Sequence, residues 1–187
     1  MKLKLRPTSH LLVALTLLLA FATSLSAQSA PKPTISDVAT FDVIGIEVRT
    51  NNAQQGSGGP ISQQWQRLYS EGILDRIPGK LDLSVVAVYT NYASDWNGDY
   101  TYTLGAKVKP GSKPPAGMVA VSVPAGKYVE FISARGPGVQ VMPEIWKQIW
   151  AYFHEPGSPA RAYKADFESH DVSDPNNLQA HIFIGVK

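Results

Sequence analysis

Apolar and polar positions alternate in short runs through much of this chain, and two longer stretches carry helical spacing instead. From Phe41 to Arg49 the apolar residues Ile44, Ile46 and Val48 alternate with Val43, Gly45 and Glu47, which predicts a strand with one strongly apolar face. Asn51 to Gly59 is polar and glycine-rich. Its Gly-Ser-Gly-Gly run lacks the lysine and flanking spacing of a phosphate-binding loop and reads as a flexible connection. Ile61, Trp65, Leu68, Tyr69, Ile73 and Ile77 recur at helical intervals, so an amphipathic helix is predicted from Ile61 to about Asp75, with Gly72 weakening its last turn. Two strands follow, Leu83 to Tyr92 and Asp99 to Lys109, joined across the turn-rich Ser94-Asp95-Trp96-Asn97-Gly98. On the second of them Tyr100, Tyr102, Leu104, Ala106 and Val108 share a face.

After the Pro- and Gly-rich break at Pro110 to Gly117 the same order of elements returns. Met118 to Val123 and Lys127 to Ala134 are strand-like, with Pro124-Ala125-Gly126 as a kink between them. Met142, Ile145, Trp146, Ile149, Trp150 and Phe153 form an apolar stripe, a second helix in which Pro143 is acceptable only in the first turn. Tyr163 to Asp171 and Leu178 to Lys187 close the chain as two strands around the turn Ser173 to Asn177.

The halves 38–109 and 118–187 thus share a strand, helix, strand, strand plan. Gln64-Trp65-Gln66-Arg67-Leu68 matches Ile145-Trp146-Lys147-Gln148-Ile149, and Ala106 to Lys109 matches Ile184 to Lys187, at nearly equal offsets. The expected fold class is α+β: duplicated β-α-β-β units with pseudo-twofold symmetry, antiparallel sheets, two main helices on one face and a central cleft. Clefts between repeats are where ligands usually sit.

The N-terminus changes the picture of charge. Met1 to Arg6 is basic, Leu11 to Ala22 is apolar and Ser24 to Ala27 is small, the plan of a secretory signal peptide over residues 1–27. Residues 28–37 read as a flexible lead-in. The expected location is periplasmic or secreted. Cleavage would remove Lys2, Lys4 and Arg6, turning the formal +2 of the 187-residue chain slightly negative. No Lys/Arg run survives to suggest a nucleic-acid partner, and no membrane contact is expected after cleavage. Cysteine is absent, which excludes a disulfide framework and a thiol nucleophile. There is no Gly-x-Ser-x-Gly elbow and no His-Glu-x-x-His motif, so the commoner hydrolase classes lack their signatures. No cofactor and no metal site are implied; His170 and Asp171 point to opposite faces of their strand, which argues against convergence with His181 on a metal.

Ala165 to Asp171 is the stretch with the clearest chemistry. Alternation sends Asp166, Glu168 and His170 to one face and Ala165, Phe167 and Ser169 to the other, so one face gathers ionisable groups. On the residues alone, Glu168 is either a solvated charge on an open sheet face or a carboxylate in a cleft.

Four landmarks carry a resemblance. Tyr102 to Val108, Val123 to Val129, Trp146 to Phe153 and Asp166-Phe167-Glu168 occur in the order and spacing that resemble the GyrI-like small-molecule-binding domain, the effector-binding domain of AraC- and MerR-type multidrug regulators. The resemblance implies a cleft lined by aromatic side chains, with one buried glutamate that recognises lipophilic cations. By motif, that glutamate corresponds to Glu168. Tyr102 and Tyr89, from strands facing the groove, Trp146 and Trp150, from the second helix, and Trp96, at the rim, complete the expected ligand-binding set. The sequence departs from the family in its leader, in the lack of a DNA-binding module and in carrying His170 where a tyrosine often stands, so an exported stand-alone domain is expected. The leading expectation is an exported protein binding an amphipathic, cationic or aromatic small molecule. The alternative implied by the resemblance is a cyclopropanoid-type hydrolase using Glu168 as general base with Tyr102 as acid. A third is an interaction protein whose cleft is filled by its own side chains. The repeat comparison adds an expected asymmetry: the second half brings the charge and the first brings mainly tyrosines.

Overall fold

The computed structural model describes residues 31–56, 58–174 and 176–187. Among the described residues eleven strands and α-helices follow one another, β1 (Thr34–Val38), β2 (Phe41–Thr50), α1 (Pro60–Ser70), α2 (Ile73–Arg76), β3 (Val85–Thr90), β4 (Tyr100–Val108), β5 (Val119–Val123), β6 (Gly126–Ile132), α3 (Gly138–His154), β7 (Arg161–Asp171) and β8 (Gln179–Val186), with a short 3-10 turn at Asn52–Gln54. The strands form one antiparallel sheet in the order β1-β6-β8-β7-β3-β4-β2-β5. Its centre is the β7–β3 pair, and outward from that pair each half contributes its strands in the same sequence. The duplicated plan is therefore written into the sheet as a pseudo-twofold axis between β3 and β7.

The outermost strands depart from expectation. Thr34–Val38, all but its last residue in the stretch expected to be a flexible lead-in, is β1 and pairs residue for residue with β6 of the other half. Its counterpart β5 crosses back to pair with β2 of the first half. Each repeat thus lends a leading strand to its partner. Nothing in the short polar run Thr34-Ile35-Ser36 signals this, because the pairing edge lies nearly a hundred residues away in the chain. The leader expected over residues 1–27 lies outside the described residues. No described helix is long and apolar enough to cross a membrane.

Two helix boundaries also differ. The helix expected from Ile61 to Asp75 breaks at Gly72, whose left-handed backbone (φ 57°) lets the chain turn between α1 and α2 without a Cβ clash. The second helix starts at Gly138, a turn earlier than expected, and leaves Pro143 inside it. The ring removes the N–H that would meet the Val139 carbonyl; Val139 is exposed, so water can serve that oxygen.

One sheet face carries α1, α2 and α3 over two apolar clusters. Leu68 and Ile73 pack on Ile44, Ile46, Ala87 and Leu104, while Ile145 and Ile149 pack on Phe131, Ile182 and Ile184. On the opposite face Val43, Val86, Val88, Tyr128 and Phe167 are buried together with Val123 of β5, so the outer strands cover part of the sheet's second side. Gly45 and Gly105 face one another on β2 and β4, where a Cβ on either would meet the other strand's backbone. This close approach at the middle of the first half explains both glycines.

Candidate functional site

The site sits on the helix face, over the pseudo-twofold axis. In β7, alternation places Asp166, Glu168 and His170 on this face as expected, and all three are buried (0%, 2% and 1% exposed). Across the β3–β7 pair, Ala87 lies opposite Glu168 and Tyr89 opposite Asp166. Because Ala87 is small, the phenol of Tyr89 can lean over it, and its hydroxyl donates to Glu168 Oε1 at 2.9 Å. Trp146 Nε1 of α3 donates to the same oxygen at 2.8 Å. His170 Nε2 lies 2.8 Å from Oε2. A withdrawn carboxylate costs several kcal/mol unless such partners replace water, and here side chains from β3, β7 and α3 do so.

Around this carboxylate the aromatic rings form a continuous array. Tyr89 packs edge-on against Tyr102 (5.1 Å) and Trp146 (5.6 Å), and at a tilt against Tyr100 (5.4 Å). Tyr102 is one step removed from the carboxylate: its hydroxyl accepts from Trp65 Nε1 at 3.0 Å. Trp65 in turn meets the His170 ring edge-on at 4.9 Å. The two tryptophans matched by the repeat thus reach the centre from opposite sides, one through Tyr102 and the other directly. Burial, and next the nearby Glu168 charge, push the phenols of Tyr89 and Tyr102 well above their ordinary range and Tyr100 up to about 12. These phenols are therefore neutral hydrogen-bonding groups and packing surfaces, Tyr89 donating and Tyr102 accepting.

Of the expected ligand-binding residues, Glu168, Tyr89, Tyr102 and Trp146 come together. Trp150 joins them at the edge, 6.1 Å from Trp146 and 38% exposed. Trp96 stands apart: 43% exposed, it lies edge-on to His154 at the end of α3 and makes no aromatic contact with the cluster among the described residues. The expected asymmetry is present, since every charged group at the centre comes from β7 while Tyr89, Tyr100 and Tyr102 come from the first half.

Sequence reasoning placed Asp166 and His170 on this face but assigned neither a part in the ligand-binding set, and it missed Arg161 and Tyr92. Asp166 Oδ2 accepts from Arg161 (2.5 Å) and from the Tyr92 hydroxyl (2.6 Å), and Oδ1 accepts from the Gly185 backbone N–H (2.8 Å). The Arg161 guanidinium lies over Tyr163 (4.6 Å) and Phe153 (5.7 Å). What brings it there is an irregularity in β7 between Arg161 and Asp166, where Tyr163 takes a left-handed backbone (φ 50°). Burial opposes the Arg161 charge, but Asp166 and the adjacent phenols outweigh it and raise the guanidinium above its usual range. The signal available in the sequence was the second carboxylate two residues before Glu168; the partner was not legible.

Two open cavities mark the surface, and neither is lined by Glu168. A groove of about 570 Å³ lies on the opposite sheet face between Phe41, Val86, Lys107, Phe167 and Phe183. A smaller one, about 200 Å³, flanks α3 beside Gln140 and Ile145. The two oxygens of Glu168 are held by the side chains of Tyr89, Trp146 and His170. No cluster of His, Cys, Asp or Glu suited to a metal occurs among the described residues.

A family model described as Cass2, integron-associated effector binding protein, matches residues 34–186. The chain belongs to this family. The match begins at the first residue of β1 and ends with β8, so it takes in the swapped outer strands as well as the centre. An integron cassette protein from Vibrio cholerae has the same fold, with a TM-score of 0.67 and 29% identity over 84% of this chain and 97% of its own. YobU of Bacillus subtilis (strain 168), named as a transcriptional regulator, is 28% identical over 76% of this chain and 90% of its own length. The transcriptional regulator BrlR of Pseudomonas aeruginosa is 32% identical over 78% of this chain, which spans about half of BrlR (52%). SAV2435, solved bound to tetraphenylphosphonium, shares the fold (TM-score 0.67) at 18% identity. The effector-binding fold is thus that of a GyrI-like small-molecule-binding domain, with its duplicated halves meeting at Glu168.

Proposed function

We propose that this chain is an exported, periplasmic or secreted domain that binds an amphipathic cation, with Glu168 as the charge that recognises it. The observation that carries the reading is the environment of Glu168: a buried carboxylate whose Oε1 accepts from the neutral donors Tyr89 and Trp146 and whose Oε2 faces His170, set among aromatic faces. A lipophilic cation entering there would gain a full countercharge and contributions of about 0.5–2 kcal/mol from each ring face it covers. Trp146 is the group that must yield, since it closes over Oε1 from a helix and leads through Trp150 to solvent. SAV2435 was solved with a lipophilic phosphonium, a ligand of the class proposed here. The basic and apolar leader supports export.

The test is titration of the protein with a rhodamine-type cationic dye, comparing wild type with Glu168→Gln. Affinity is expected to fall at least several-fold in the variant; equal affinity defeats the electrostatic part of the reading. One observation favours a second reading, an interaction protein with a permanently filled cleft: both Glu168 oxygens are already engaged by the chain's own Tyr89, Trp146 and His170. Absence of binding by cations of every size tried would support it. The hydrolytic alternative gains no comparable observation, because the Tyr102 hydroxyl is engaged by Trp65 and does not touch Glu168.

A further inference from the structure

The Asp166 half of the site is built like a second cation subsite, and its occupant is part of the chain. Asp166 is fully buried, with a phenol and a backbone N–H donating to it, and two aromatic faces, Tyr163 and Phe153, flank the cation it holds. That cation is the guanidinium of Arg161, whose side chain is 7% exposed. The two carboxylates are on one face of β7, two residues apart, which separates their backbones by about 7 Å. The ring array joins them without a break: Tyr89 contacts Tyr100, Tyr100 contacts Tyr92 (5.7 Å) and Tyr92 contacts Tyr163 (5.5 Å). One carboxylate is thus paired with an arginine, and the other is met by a phenol, an indole N–H and the imidazole of His170.

The ion pair is not arranged as a stabilising clamp. Only one terminal nitrogen of Arg161 reaches Asp166, rather than the parallel two-bond fork that makes such pairs strong. Arg161 Nε is buried with no acceptor among the described residues. A buried donor left unmet costs stability, and a well-packed apolar pair would commonly serve the fold as well. Whatever it adds to stability, the arrangement fixes a positive charge beside Asp166, on the same sheet face as Glu168.

We infer that Arg161 is the selectivity residue of the cleft, a tethered occupant of the Asp166 subsite that restricts ligands to amphipathic monocations and excludes dications. This rests on the reading of Glu168 as the ligand-recognising charge. With Arg161 in place a second ligand charge would meet a guanidinium; without it, that charge would meet Asp166, Tyr92 and Tyr163.

The probes are (4-methylbenzyl)trimethylammonium and its dicationic analogue p-xylylenebis(trimethylammonium), titrated by calorimetry into wild type, Arg161→Gln, Arg161→Lys and Arg161→Gln/Asp166→Asn. Wild type is expected to prefer the monocation by about tenfold, a difference well within what one opposed charge supplies. Arg161→Gln should raise dication affinity by a similar factor while leaving the monocation nearly unchanged. Adding Asp166→Asn should remove the gain, and Arg161→Lys should retain the wild-type preference. An unchanged ratio in folded Arg161→Gln overturns the inference. So does wild type binding the dication as tightly as the monocation, a result that needs no variant to fold. A wild type that binds neither probe defeats the reading of Glu168, and the inference about Arg161 falls with it unless Arg161→Gln gains binding of the dication.

Discussion

Replacing Tyr89 by phenylalanine deletes one hydroxyl and leaves its ring, so it isolates the bond to Glu168 from the packing around it. The ring contacts with Tyr100, Tyr102 and Trp146, at 5.4, 5.1 and 5.6 Å, do not depend on the oxygen. The lost bond is short, buried and made to a carboxylate, a class worth about 1.5–3 kcal/mol, against about 1 kcal/mol for a neutral pair. For a domain of this size each kcal/mol moves the midpoint by about 2–4 °C, so Tm should fall by roughly 5 °C. The sharper measurement is a double-mutant cycle by urea denaturation, with Glu168→Gln and the double variant. Glutamine keeps an acceptor but loses the charge, so the coupling reports the charge-assisted part of the bond and should be about 1 kcal/mol. Tyr100→Phe serves as the reference, since its hydroxyl donates to the neutral Asn52 Oδ1. Additivity within about 0.5 kcal/mol would refute the claim that Glu168 relies on Tyr89 in the folded state.

Other outcomes follow from the same geometry. Trp146→Phe keeps an aromatic face but removes the donor that a cation must displace from Oε1, and should tighten cationic-dye binding several-fold, while Trp96→Phe, which stands against His154, should leave it unchanged; fluorescence titration reads both. Gly185→Ala places a Cβ 2.6 Å from the Ala165 carbonyl, beside the N–H that Asp166 accepts, and should destabilise by about 1–3 kcal/mol in urea. The phenols of Tyr89, Tyr92 and Tyr102 are raised well above their usual range, first by burial and then by Glu168 or Asp166, and Tyr128 is raised to about 12 for the same reasons. Their protonated forms are favoured in the folded state, so this stability is complete below about pH 10 and is lost as pH rises above it, while the unfolded chain ionises first. Absorbance of tyrosinate should therefore lag far behind the eight tyrosines at pH 10 and rise together with alkaline unfolding; full ionisation of a still-folded protein would contradict the burial.

What the sequence determined was whatever depends on neighbours in the chain. The two-residue period of β7 was enough to put Asp166, Glu168 and His170 on one face. The helical stripes placed Trp65 and Trp146 as matched residues, and the repeated order of elements gave the duplicated α+β plan on which the family resemblance rests. Tertiary structure decided which groups those residues meet, because pairing partners are chosen by register and crossover between distant segments. Tyr89 rather than Tyr102 donates to Glu168 because the β3–β7 register sets Ala87 opposite the glutamate and leaves room for the phenol next to it. Thr34–Val38 becomes a strand only because β6 of the other half offers it an edge. Arg161 reaches Asp166 only because β7 bulges at Tyr163, a displacement invisible to alternation, which counts residues as if the strand were regular.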